Sequence, residues 1–152
     1  MPRPIATWLA ALAMVAAGCG NSTPAPVSPL CLQGSRGILR ALRRAPAPVT
    51  LRDGTRLSDC VAHAQNDADL QNFGVLITRL ADDLAERARR DSRLAVQLGY
   101  LIGAARRGSA HTNGVSLELQ HRLESTVRRA GLSSAALAAA LQRGLTAGER
   151  TG

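Results

Sequence analysis

The stretch LQNFGVLITRLADDLAERA, residues 70–88, decides the fold class. Leu70, Phe73, Ile77, Leu80, Leu84 and Ala88 recur every three or four residues, which puts them in one stripe along a helix. Asn66 and Asp67 open the segment as a cap, and it runs to about Arg90, with Asp83–Arg87 and Glu86–Arg90 spaced four apart on the wet side. After a break at Asp91-Ser92 comes LAVQLGYLIGAA, residues 94–105, apolar nearly all round and bracketed by Arg93 and Arg106. At 12 residues it is short of the roughly 20 a membrane helix needs, so it reads as the buried central helix of a bundle. Gly99 and Gly103 within it call for a closely packed neighbouring helix.

Working outward, residues 115–130 form a further helix with Leu119, Leu123 and Val127 on one face and Glu118–Arg122 and Glu124–Arg128 outside, stopped by Gly131. A last helix opens with Ser133 as its cap and Leu132 placed to pack on Leu137; Gly144, Gly148 and Gly152 read as its frayed end. On the N-terminal side, Ser58 and Asp59 begin a helix. VTLRDGTRL, residues 49–57, places Asp53-Gly54 between two short alternating runs, a hairpin signal too small for a sheet. SRGILRALRR, residues 35–44, is a short amphipathic helix with Arg36, Arg40, Arg43 and Arg44 on one side, Ile38, Leu39 and Leu42 on the other, and Pro46 and Pro48 as its stop. The expected fold is all-α, a bundle of four or five helices over residues 31–147, with 148–152 as a frayed tail.

The first 30 residues are of another kind. A basic start at Arg3, an apolar run of about 13 residues from Ile5 to Ala17 and small residues after it describe a secretory signal peptide. Ala16-Ala17-Gly18-Cys19, with Ala16 where Leu is more frequent, resembles the lipobox of bacterial lipoproteins. That resemblance covers residues 1–19 and implies a signal over 1–18, cleavage before Cys19, and diacylglycerol on its thiol. It places the protein on the extracytoplasmic face of a bacterial membrane. Residues 19–30, ending in the proline-rich GNSTPAPVSPL, read as the lipidated cysteine and a flexible tether. Cleavage leaves 134 residues (152 − 18), enough for one domain. With Cys19 lipidated, Cys31 and Cys60 form an even pair in an oxidising compartment, which points to a disulfide.

All 19 basic residues are Arg, and this Arg- and Ala-rich usage reads as a GC-rich coding sequence. The mature chain keeps 18 Arg against 11 acids, a net +7 that favours anionic lipid headgroups or acidic wall polymers. Nucleic acid is a poor partner, since Phe73 and Tyr100 are the only rings left for stacking. His63, His111 and His121 have no zinc-like spacing, no Gly-x-Ser-x-Gly elbow or phosphate loop is present, and Asp82, Asp83 and Glu86 fall on a solvated, Arg-paired face. No catalytic, metal or cofactor residue is expected. The reading is a non-catalytic, lipid-anchored binding or scaffolding module, its partners the membrane and either anionic headgroups, met by Arg36, Arg40, Arg43 and Arg44, or an envelope protein. The alternative is an envelope enzyme or enzyme accessory acting on wall or lipid substrates in a groove between helices.

Overall fold

The structure is a computed structural model and describes residues 25–110, 112, 116–132 and 134–152. Residues 1–24, on which the expected signal peptide, Cys19 and the first part of the expected tether fall, lie outside the described residues, as do His111, Asn113, Gly114, Val115 and Ser133. Seven helices are described: α1 (Pro29–Leu32), α2 (Ser35–Leu42), α3 (Leu57–His63), α4 (Asp67–Ala88), α5 (Ser92–Ser109), α6 (Leu117–Ala130) and α7 (Ala135–Thr151). The all-α class holds, with no strand among the described residues, but the helices exceed the four or five expected. The count rises through short pieces: α1 has no counterpart in the sequence reading, and the helix expected at Ser58 stands as a separate α3. α1 is a single turn across the expected boundary between tether and domain at residue 30, started by the Ser28 side chain accepting from Leu30 N–H, with Pro29 at the first helical position. α3 is only 7 residues long because the chain leaves the helix at Ala64 before Asn66 caps α4.

Local chemistry sets the other boundaries. Asn66 accepts from Asp69 N–H to open α4, and Asp91 accepts from Arg93 N–H to open α5. α6 ends on Gly131 in the left-handed conformation, φ 60°, which costs glycine nothing. Ser134 caps α7, accepting from Leu137 N–H. α3 starts one residue before the expected cap: Asp59 accepts from Arg56 N–H at 3.2 Å, while Ser58, inside the helix, donates to the Gly152 carbonyl. The hairpin signal becomes a tight turn, with Leu51 N–H donating to Thr55 O at 2.8 Å, one bridge between Thr50 and Arg56, and Gly54 at φ 85°.

α5 is the axis of the bundle and packs against α3, α4, α6 and α7, which explains why its sequence is apolar all round. Ala95, Leu98, Tyr100, Leu101, Ile102, Ala104 and Ala105 are all buried on it, while α4 contributes the stripe Phe73, Ile77, Leu80, Leu84 and Ala88. The closest contact is between α5 and α7. A methyl group at Gly99 would stand 2.0 Å from the Leu141 carbonyl oxygen, and one at Gly144 would stand 2.0 Å from that of Val96. Gly103 and Gly148 repeat the relation one turn along, facing the carbonyls of Leu145 and Tyr100. The two backbones thus touch through glycine on both sides.

This corrects the frayed tail. Residues 148–151 belong to α7, and Gly148 and Gly152 are buried. The four-residue spacing of Gly144, Gly148 and Gly152 makes a smooth helical stripe for α5 rather than a loose end. Arg107 secures the end of α7 by donating to the carbonyls of Glu149 and Arg150 at 3.2 and 2.9 Å.

Of the four expected ion pairs, two form, one is replaced and one is absent among the described residues. Asp83–Arg87 and Glu118–Arg122 form at 3.1 and 2.8 Å. Glu124 instead meets Arg106 of α5 at 2.9 Å, and the same guanidinium reaches Glu149 of α7 at 2.9 Å, joining three helices. Arg90 lies past the end of α4, where the geometry that would bring it to Glu86 has stopped.

A candidate anion-binding cleft

The start of the described chain is pinned to the turn that follows α2. Ser28 donates to Asp53 of the 51–55 turn, and Thr55 N–H donates to the same carboxylate at 3.0 Å. The Ser28 bond first, then that from Thr55, holds the Asp53 carboxyl below the usual carboxylate range. Just behind, Cys31 and Cys60 are joined in a disulfide with their Cα atoms 5.7 Å apart, tying α1 to α3. Both cysteines are fully buried.

Between α2 and this turn opens a cleft of about 730 Å³. One side carries Arg36 and Arg40, one turn or about 6 Å apart along the axis of α2, and Arg44 just past its end. The other side carries Arg52 and Thr50. Leu30, Ala41 and Leu51 supply the apolar lining, and Gly34, Gly37 and Gly54 keep it open. At Gly37 a methyl group would meet nothing within 4 Å. The four arginines are exposed, and none makes a side-chain ion pair or hydrogen bond among the described residues. Asp53, the nearest acid in sequence to Arg52, is taken up by Ser28 and Thr55.

The four arginines expected on one helical side thus divide. Arg36, Arg40 and Arg44 line the cleft; Arg43 is exposed but does not. Arg52 went unnoticed because it belongs to the turn and only the tertiary fold sets it opposite α2. The adjacent Asp53-Gly54 marks the turn but not what the turn faces.

Other candidates come to less. Among the described residues no three His, Cys, Asp or Glu side chains gather where a metal could be held. Asp82 accepts from Thr126 Oγ1 at 2.8 Å and Asp83 from Arg87, which leaves the acidic turn of α4 engaged in structural contacts. A groove of about 400 Å³ between α4 and α6 is lined by Leu70, Val75 and Leu119. No described helix is long and apolar enough to cross a membrane. No protein family, no curated protein and no solved structure matches this chain.

Proposed function

We propose that this is an exported protein, held by lipid on Cys19 to the extracytoplasmic face of a bacterial membrane, whose helical domain is a non-catalytic binding or scaffolding module for an acidic partner. The observation that carries the reading is the arginine cleft beside the point where the tether enters the domain. Ser28 fixes that entry on the very turn that bears Arg52. A protein anchored through residues 19–27 therefore presents the cleft within about 30 Å of its anchor, the reach of nine extended residues. The cleft's described lining, with its four guanidiniums, suits the binding of an anion. The buried disulfide suits an oxidising compartment outside the cytoplasm.

Expression of the full chain in a bacterium fed an alkyne fatty acid tests the anchor. The wild type should be labelled and should fractionate with membranes, and Cys19→Ser should lose the label. Equal labelling of the variant, or wild-type chain found wholly in the medium, overturns this reading.

A further inference from the structure

A positively charged patch that rests on a bilayer needs only to be flat and charged. The arginines here are arranged differently. Arg36 and Arg40 stand one helical turn, about 6 Å, apart on α2, Arg44 follows just past its end, Arg52 joins them from the 51–55 turn around a concavity, and Gly37 leaves space in the lining between them. A planar headgroup surface reaches such a cleft only at its rim. A thin chain bearing regularly spaced anions can lie inside it, with successive charges meeting successive guanidiniums.

Guanidinium chemistry narrows the ligand. Its planar fork of N–H donors matches the oxygens of a phosphate or carboxylate in pairs, and unpaired exposed arginines lose little solvation in making that contact. Among the described residues the cleft lining includes no aromatic side chain, and Phe73 and Tyr100 are buried in the core, so nucleotide bases would find no described ring to stack on. A phosphodiester polymer with a small polyol between phosphates has the remaining features. It is narrow, it places charges at intervals of the order of one helical turn, and it carries no base. The apolar lining of Leu30, Ala41 and Leu51 suits the carbon backbone between charges.

We infer that Arg36, Arg40, Arg44 and Arg52 form a binding groove for a linear polyol-phosphate chain, an acidic polymer of the extracytoplasmic space. The inference rests on the exported, anchored reading for the polymer's location, but the groove itself is tested without it.

The full chain, purified in neutral detergent, is titrated with poly(glycerol phosphate) and followed by fluorescence anisotropy of the labelled polymer. Wild type should bind saturably, and binding should weaken steeply with salt as the Debye length falls from about 10 Å at 0.1 M to about 3 Å at 1 M. Arg40→Gln and Arg52→Gln should each lose about tenfold or more. Gly37→Leu, which leaves the charge unchanged, should lose a similar factor by filling the groove, while Arg128→Gln on α6 should bind as wild type does. The helical circular-dichroism signal should be the same in all four variants, which separates loss of binding from loss of fold. Undiminished binding by Gly37→Leu, or equal loss in Arg128→Gln, would show a general charge effect and overturn the groove. Binding to micelles containing phosphatidylglycerol with none to the polymer overturns it in favour of a membrane contact. Failure of fatty-acid labelling alongside intact polymer binding would remove the anchor and leave the groove standing.

Discussion

Gly99 of α5 faces the backbone carbonyl of Leu141 on α7 so closely that a single methyl group would stand 2.0 Å from its oxygen. No rotamer relieves such a clash, because the methyl is fixed by its own backbone and the atom it meets is main chain. Either the helices separate or the bundle loses its best-packed interface.

Gly99→Ala and Gly144→Ala should therefore each destabilise the protein by about 1–3 kcal/mol or more, the range for overpacking a tight core. Gly74 offers the control. It lies inside α4, where an added methyl meets nothing within 4 Å, so Gly74→Ala should stabilise by about 0.5–1 kcal/mol through helix propensity alone. Urea unfolding of the three variants checks both signs. Equal effects at Gly74 and Gly99 would mean that the α5–α7 contact is not as close as described.

The disulfide gives a second expectation. Cys31 and Cys60 are 29 residues apart, and closing such a loop contributes about 3–4 kcal/mol in the chain-entropy account. In Cys19→Ser chain, denatured without reductant, no thiol should titrate; after reduction two should. Cys31→Ser/Cys60→Ser should lower the urea midpoint with little change in helix content, since α1 and α3 also pack through apolar neighbours. Two free thiols before reduction would refute the bridge.

Much of this architecture is legible in the chain because burial imposes periodicity. The stripe from Phe73 to Ala88 gives α4, and the unbroken apolar run around Tyr100 marks α5 as surrounded. What the sequence hides is partner choice. Glu124 has Arg128 four residues on, yet it turns to Arg106, a competition that only the approach of α5 creates. The glycines of α7 illustrate the same point from the other side. By composition they suggest a loose end, and only their four-residue period, matched to Gly99 and Gly103, identifies a packing face. Arg52 is likewise invisible as a member of the cleft, since a turn residue's neighbour across space leaves no trace in its own flanking sequence.

Acid should probe the Arg106 junction. Partial burial works to raise the Glu124 carboxyl, but hydrogen bonds from Gln120 and Arg106 and the Arg106 charge outweigh it and hold the group below the ordinary carboxylate range. A carboxylate depressed in the folded state stabilises it fully above the unfolded value, about 4.3 for Glu, and that stabilisation is lost as pH falls through the lower folded value. The urea midpoint should thus be flat near neutrality and drop below about pH 4. Glu124→Gln should lower it at pH 7 and flatten the acid-side decline. An unchanged decline in this variant would place the acid sensitivity elsewhere, with Glu118, held low by Arg122, as the next to substitute.

Tyr100 connects the core to the cleft wall. Its ring is fully buried on α5, its hydroxyl accepts from Val49 N–H at 2.9 Å, and it lies 3.0 Å from Thr151 Oγ1 of α7. Val49 is itself buried and leads directly into Thr50 and Arg52, which line the cleft. Removing only the hydroxyl in Tyr100→Phe strands a buried N–H, at a cost of about 1–3 kcal/mol, while keeping the ring's packing. In a domain of this size that should lower the melting temperature by several degrees. The loss should also be local: amide exchange at Val49 should quicken more than at Leu98 or Leu101 of the same helix that carries the ring. Because Val49 anchors the turn, the variant should also weaken polymer binding without altering any charge in the cleft. Unchanged Val49 protection together with wild-type stability would mean that the hydroxyl contributes nothing and that the turn is held by Leu51 and the Asp53–Ser28 bond instead.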